Sequence, residues 1–109
     1  MKVLIIEDDT ILQQLLASLL KRRGHEVVAV EKLSHATEEL SAWQFDRIIC
    51  DGTLRGEDGY AYAKMLQDQG KNVVQFTADE RRVKPGVRWV KKDPSRTLAQ
   101  EIDTLLGSN

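Results

Sequence analysis

The sequence predicts an α/β fold in which helices cover both faces of one five-stranded parallel sheet, a doubly wound arrangement. Three observations predict it: five short apolar runs, helical patterns in most of the intervals between them, and regular alternation of the two. The 109 residues are 41% hydrophobic and 30% charged, with a net charge of −1. We expect a single soluble domain over residues 1–109.

The predicted strands are nearly continuous in hydrophobicity and rich in β-branched residues. This pattern is typical of strands that are buried on both faces of a parallel sheet. The five runs cover residues 3–6, 27–30, 48–50, 73–76 and 87–90.

Helical periodicity fills most of the intervals, and capping residues or glycines mark the helix ends. The four predicted helices cover residues 11–20, 33–43, 60–69 and 98–106. Gly24 and Gly70 follow two of them as stops. Ser34 or a neighbour lies near the start of the second helix, and Ser95 is the expected N-cap of the last.

The interval between the fourth and fifth runs departs from this alternation. Pro85 and Gly86 disfavour a helix there, and the segment offers little apolar surface to pack. A parallel crossover needs about a dozen residues, so the segment is only just long enough. We expect the helix between strands 4 and 5 to be reduced to a loop or a single turn.

Polar side chains follow four of the predicted strands at their carboxyl ends, where open α/β sheets bind ligands. They are Glu7, Asp8 and Asp9 after the first, Asp51 after the third, Thr77 after the fourth, and Lys91 and Lys92 after the fifth. Each has an ordinary structural explanation; Asp8 or Asp9, for example, suits the N-cap of the next helix. Together they predict a site, because clustered carboxylates repel one another unless a cation such as Mg²⁺ is bound.

This pattern resembles the receiver domain of two-component response regulators, the CheY-like family. The resemblance is carried by Glu7-Asp8-Asp9, Asp51, Thr77-Ala78, Lys92-Asp93 and the loop 51–59 with its Asp58-Gly59 pair. It spans residues 2–106 and implies a flavodoxin/CheY-like sheet with strand order 2-1-3-4-5.

The resemblance implies phosphoryl chemistry at Asp51. Asp51 would accept a phosphoryl group from a histidine kinase or a histidine phosphotransfer protein. Glu7, Asp8, Asp51 and the backbone carbonyl of Thr53 would hold Mg²⁺, with Mn²⁺ as the alternative ion. The protein would signal to a downstream protein target and would not be an enzyme beyond its own phosphorylation and dephosphorylation.

The resemblance also assigns the remaining polar residues. Lys92 would contact the phosphoryl oxygens, with Lys91 as the alternative. Side chains alternate along a strand, so Lys92 shares the side of Val90 and Lys91 shares that of Trp89, and we favour Lys92. Thr77 is the implied switch hydroxyl, and Trp89 stands where the family has an aromatic that changes rotamer with it.

The first apolar run is too short for a signal peptide or a membrane span, so we expect a cytoplasmic protein without membrane association. Two alternatives remain. One is a receiver fold that acts through phosphorylation-independent protein contacts. The other is nucleic-acid binding through residues 81–92, which carry six basic side chains and no acidic one. The oligomeric state stays open.

Overall fold

The computed structural model describes residues 1–107 and contains the predicted five-stranded parallel sheet. In chain order the elements are β1 (Lys2–Ile6), α1 (Thr10–Arg22), β2 (Glu26–Val30), α2 (Leu33–Ala42), β3 (Arg47–Asp51), β4 (Thr53–Leu54), β5 (Glu57–Asp58), α3 (Gly59–Asp68), β6 (Val73–Thr77), a 3₁₀ helix (Glu80–Arg82), β7 (Trp89–Lys91) and α4 (Leu98–Leu105). The sheet order is β2-β1-β3-β6-β7, and β4 and β5 form a separate antiparallel pair. Without that pair, the order is the predicted 2-1-3-4-5.

Two hydrophobic layers sandwich the sheet, because successive residues of each strand point to opposite faces. On one face, Val3 and Ile5 of β1 pack in a cluster with buried residues of α1 and α4. On the other, Leu4 and Ile6 pack with residues of α2 and α3. All five residues of β3, the central strand, and all five of its neighbour β6 are buried. Because the two strands are parallel, their carboxyl ends lie side by side near the middle of one sheet edge.

Asp9, rather than Asp8, caps the first helix. The Asp9 carboxylate accepts hydrogen bonds from the backbone N–H groups of Ile11 and Leu12, at 3.0 and 3.2 Å. Asp58 does the same at the start of α3. Because Asp9 accepts hydrogen bonds from two of the N–H groups that lack partners at the start of α1, the Asp8 side chain is available for other contacts.

The prediction that Ser95 caps the last helix is wrong. Thr97 is the N-cap, and it forms a reciprocal capping box with Gln100. Ser95 instead donates from both its backbone N–H and its hydroxyl to the Asp93 carboxylate, at 2.9 and 2.7 Å. The Ser95 hydroxyl is therefore engaged in a turn with Asp93 before the helix begins. The capping box of Thr97 and Gln100 determines where α4 starts.

A single 3₁₀ turn replaces a full crossover helix between β6 and β7, as predicted. The chain then makes a tight turn in which Val87 N–H donates to the Lys84 carbonyl at 3.2 Å and Gly86 adopts φ +84°. Val87 packs into the core on the α2 and α3 side. This turn delays the last strand, which runs over Trp89–Lys91 instead of the predicted 87–90.

Two arginines bind the carbonyl groups at the C-terminal end of α4, at the end of the domain opposite to the carboxyl edge of the sheet. The Arg47 guanidinium donates to the carbonyls of Leu105 and Gly107, at 2.8 and 3.2 Å, and Arg88 donates to the Thr104 carbonyl. These carbonyls lie at the C-terminus of α4, where helical acceptors lack intrahelical partners and cations are favoured. Burial lowers the pKa of Arg47, and the Arg88 charge adds to that effect. Among residues 1–107, no helix is long and apolar enough to cross a membrane.

Candidate functional site

Three carboxylates converge at the carboxyl edge of the sheet. Glu7 and Asp8 follow β1, and Asp51 ends β3, so neighbouring parallel strands bring them together. One oxygen from each lies within 4.8 Å of the others. Glu7 and Asp51 are buried, and Asp8 is partly exposed at the rim. The cluster is therefore open to solvent on the side of Asp8.

Lys92 completes this cluster. Its Nζ lies 2.9 Å from Glu7 Oε1 and 3.0 Å from Asp51 Oδ1. Lys91 lies elsewhere, with its Nζ 3.6 Å from Glu80 Oε1. The alternation of side chains on the last strand thus separates the two lysines, and it places Lys92 among the carboxylates.

The position of Lys92 depends on the strands beneath it. Its backbone N–H donates to the Thr77 carbonyl at 2.8 Å, which continues the pairing of β6 with β7 past Lys91. Its ammonium also lies 5.5 Å from the centre of the Phe76 ring. The hydrogen bonds between β6 and β7 fix the backbone of Lys92. The Phe76 ring supports its side chain from the side of the sheet that α1 and α4 cover.

The cluster is short of positive charge. Burial, together with a hydrogen bond to Asp51, raises the pKa of Glu7 from 4.5 to about 7. Burial alone would lower the pKa of Lys92, but its contacts with Glu7 and Asp51 outweigh that cost and raise it. Lys92 therefore stays charged and is shared by two buried carboxylates, which leaves one of them readily protonated.

This donor set fits a hard divalent cation. Three carboxylate groups offer the oxygen ligands that Mg²⁺, Mn²⁺ and Ca²⁺ prefer, and no histidine or cysteine belongs to the group. A cation here would supply the positive charge that keeps Glu7 ionised. The Asp8 carboxylate is oriented by Arg55, whose backbone N–H donates to Asp8 Oδ2 at 3.0 Å.

The loop after β3 contains a short antiparallel hairpin. Thr53, two residues past Asp51, starts a short hairpin with Asp58, and Gly56 supplies the positive φ of its turn. Glu57 reaches from this hairpin to accept the Leu33 N–H at 3.1 Å, so the hairpin is tied to the start of α2. The role of the Thr53 carbonyl as a metal ligand stays a prediction.

Thr77 has an aromatic partner that the sequence analysis missed. Its Oγ1 lies 2.6 Å from the hydroxyl of Tyr60, the second residue of α3. Both side chains are buried. Trp89, the predicted switch aromatic, is 44% exposed and pairs through its backbone position with Gln75. The only signal for Tyr60 in the sequence is Gly52, which the structure shows to be the residue that makes room for the ring.

Comparison with known proteins decides the family. The family described as response regulator receiver domain matches residues 3–100. The chain belongs to the response regulator receiver family. FleR of Pseudomonas aeruginosa is 39% identical to this receiver domain over 66 residues, which are 61% of this chain and 14% of FleR. The two-component response regulator PhoP of the same organism is 33% identical over 72 residues, 66% of this chain and 32% of PhoP. The receiver domain thus spans about a third or less of the length of these relatives.

Solved structures share its fold. A response regulator protein from Burkholderia pseudomallei, crystallised with a phosphorylated aspartic acid, a calcium ion and citrate, superposes with a TM-score of 0.81 and 24% identity over 99% of this chain and 67% of that one. TrrA of Thermotoga maritima, in complex with Mg²⁺ and beryllium fluoride, superposes with a TM-score of 0.75 and 19% identity over 96% and 98%. At these identities the likeness establishes the fold of the receiver domain.

Proposed function

We propose that Asp51 accepts a phosphoryl group from the phosphohistidine of a histidine kinase or a histidine phosphotransfer protein. The observation that carries this proposal is the Lys92 ammonium, held 3.0 Å from Asp51 and 2.9 Å from Glu7, beside the third carboxylate of Asp8. Such an arrangement suits phosphoryl transfer, which depends on positioning and charge neutralisation more than on covalent help.

Two hydrogen bonds orient the Asp51 carboxylate, the proposed nucleophile. Asp51 Oδ1 accepts the Gly52 N–H at 2.8 Å and the Lys92 ammonium at 3.0 Å. We therefore assign the attack on phosphorus to Oδ2. The new O–P bond forms as the donor's N–P bond breaks, and the leaving imidazole takes up a proton from solvent. Lys92 then neutralises charge on the transferred group.

Mg²⁺ is the cofactor that we propose, with Mn²⁺ as the alternative ion. Glu7, Asp8 and Asp51 would hold it, with the Thr53 carbonyl as a further ligand. The bound ion would neutralise phosphoryl charge that one lysine cannot balance alone. The related B. pseudomallei and T. maritima structures, which hold a calcium ion and Mg²⁺ with beryllium fluoride respectively, support this choice.

As a receiver, the protein would act in the cytoplasm. Its own chemistry would be limited to phosphorylation and dephosphorylation of Asp51, and its output would run through contacts with a downstream protein. Thr77 is the proposed switch hydroxyl that follows the phosphoryl group. Trp89, which the resemblance implies as the switch aromatic, is exposed on β7 and would report that change through its fluorescence.

The test is intact-mass analysis after incubation with acetyl phosphate, with Mg²⁺ or with a chelator. We expect the wild-type chain to gain one phosphoryl group only with Mg²⁺, and Asp51→Asn to gain none. Asp68→Asn, which alters an exposed carboxylate paired with Lys64 on α3, is the matched control and should behave as wild type. Label on Asp51→Asn would refute the assigned acceptor. No label on any variant, and no binding of beryllofluoride, would favour phosphorylation-independent contacts.

Nucleic-acid binding is the weaker alternative, because most basic residues of 81–92 have partners within the protein. Five of the six have partners in the structure: Arg81 with Asp79, Arg82 with the Tyr60 ring, Arg88 with carbonyls of α4, Lys91 with Glu80, and Lys92 with the carboxylate cluster. Binding to a nucleic-acid probe at low salt, lost steeply as salt rises, would revive this alternative.

A further inference from the structure

Thr77 and Tyr60 belong to a closed ring of hydrogen bonds that includes the backbone of Asp79. The Asp79 N–H lies 3.1 Å from Thr77 Oγ1, Thr77 Oγ1 lies 2.6 Å from the Tyr60 hydroxyl, and that hydroxyl lies 3.3 Å from the Asp79 carbonyl. The ring therefore joins the end of β6, the start of α3 and the residue that precedes the 3₁₀ turn.

One order of protons satisfies every member of this ring. Asp79 N–H donates to Thr77, the Thr77 hydroxyl donates to Tyr60, and the Tyr60 hydroxyl donates to the Asp79 carbonyl. In the reverse order the Tyr60 hydroxyl would donate to Thr77, and the buried Thr77 hydroxyl would have no acceptor for its own proton among these contacts. The Asp79 carbonyl would keep the hydrogen bond from the Arg82 N–H at 3.3 Å, so the cost of the reverse order falls on Thr77, because unpaired buried polar groups are costly. In the satisfied order, Thr77 uses its only proton on Tyr60.

Gly52 and Arg82 enclose the Tyr60 ring. The side chain is 2% exposed, and a Cβ at Gly52 would lie 2.1 Å from Tyr60 Cζ. The Arg82 guanidinium covers the ring at 4.7 Å from its centre. Gly52 is the neighbour of the phosphoacceptor, and Arg82 belongs to the 3₁₀ turn. Tyr60 thus contacts the residue beside Asp51, the switch hydroxyl and the turn together.

We propose that Tyr60 is a positioning residue that holds the Thr77 hydroxyl away from the phosphoryl site until phosphorylation. This inference rests on the proposed function of Asp51. When a phosphoryl oxygen accepts a hydrogen bond from the Thr77 hydroxyl, the hydrogen bond between Thr77 and Tyr60 breaks. The closed ring of hydrogen bonds then opens, and the Asp79–Arg82 segment loses one of its restraints. The aromatic partner of the switch is then Tyr60 of α3, and the segment that responds is the turn that replaces the crossover helix.

Tyr60→Phe tests this inference, because it removes only the hydroxyl. The variant leaves the Thr77 hydroxyl without an acceptor in the free protein, so its affinity for beryllofluoride with Mg²⁺ should rise about fivefold, the worth of one hydrogen bond. Tyr62→Phe is the matched control: Tyr62 lies on the same helix, and its hydroxyl is 2.8 Å from Thr37 Oγ1, away from the site. Its affinity should equal that of wild type.

A double-mutant cycle isolates the coupling. In a Thr77→Val background, Tyr60→Phe should leave the affinity for beryllofluoride unchanged. In the wild-type chain, the backbone amide signals of Asp79 to Arg82 should shift on beryllofluoride binding, and Tyr60→Phe should move the same signals without it. A purely structural role for Tyr60 would lower stability without this cycle or these shifts.

The outcomes separate the two proposals. Wild-type binding of beryllofluoride with equal or weaker binding by Tyr60→Phe would overturn the role of Tyr60 and leave Asp51 as the acceptor. An unmoved Asp79 amide in the bound wild-type chain would also overturn it. If the wild-type chain neither binds beryllofluoride nor gains phosphate, the function of Asp51 fails, and the role of Tyr60 fails with it.

Discussion

Glu7 should make the stability of this domain fall as the pH rises through the neutral range, when divalent cations are chelated. Its pKa is raised from 4.5 to about 7 by burial and by its neighbour Asp51. Between these two values the folded chain binds more protons than the unfolded chain, so the free energy of unfolding decreases with increasing pH. At about 1.4 kcal/mol for each pH unit, the loss is about 3 kcal/mol.

The other shifted groups titrate outside this window. Asp79 and Asp93 have lowered pKa values because each carboxylate accepts hydrogen bonds from its own turn, and they act below 3.8. Lys92 has a raised pKa and contributes stability that is lost only above 10.5. A change between about pH 5 and about pH 8 therefore reports mainly on Glu7.

The assay is urea unfolding in a chelating buffer at about pH 5 and about pH 8. Wild type should lose about 3 kcal/mol across this range, whereas Glu7→Gln, which cannot ionise, should lose little. Glu38→Gln, which changes an exposed glutamate on α2, should follow wild type. Parallel profiles for wild type and Glu7→Gln would refute the reasoning.

Magnesium should oppose this loss. A cation held by the three carboxylates binds the ionised form of Glu7, so it stabilises the folded chain more at about pH 8 than at about pH 5. Titration with MgCl₂ in the same urea assay measures the difference. Equal stabilisation at both pH values would show that Glu7 does not ionise on metal binding.

Substitutions at Gly59, Thr97 and Lys92 test the geometry, the last two with a control variant each. Gly59→Ala should destabilise the fold by about 3 kcal/mol or more, because its Cβ would lie 2.0 Å from a backbone carbonyl oxygen of β3; a loss below about 1 kcal/mol in urea unfolding would contradict this. Thr97→Ala should cost about 1 kcal/mol in the same assay, and Ser95→Ala clearly less, since Thr97 is the cap of α4. Lys92→Met should slow labelling by acetyl phosphate about a hundredfold, whereas Lys91→Met should leave the rate near that of wild type. Equal rates for the two lysine variants would remove Lys92 from its role.

The sequence predicted the five-stranded sheet well because apolar, β-branched runs leave a strong local signal, even in the edge strands β2 and β7, which are only partly buried. Continuous β-branched runs identify all five strands, and Pro85 with Gly86 correctly excluded a crossover helix. The errors lie where local signals compete. Ser95 and Thr97 are both good N-cap residues, and only the reciprocal partner Gln100 decides between them.

The candidate site was predictable only in part, for a related reason. Residues that follow strand ends come together by topology, so the carboxylates and Lys92 could be placed from the order of the strands. Tyr60 could not, because it lies on a helix and its partner Thr77 is 17 positions away. Gly52 leaves room for the Tyr60 ring, but in the sequence a glycine after an aspartate indicates a turn rather than a contact of this kind.

The tight fit between Gly52 and Tyr60 constrains the order in which these positions can change during evolution. While the tyrosine is present, a larger residue at 52 meets a ring that hydrogen bonds and packing hold in place. Replacing Tyr60 by a smaller side chain first would open the space for a residue at 52. Lineages that descend from this chain should therefore lose the tyrosine before the glycine, and related chains that carry a bulky residue at position 52 should lack an aromatic residue at position 60.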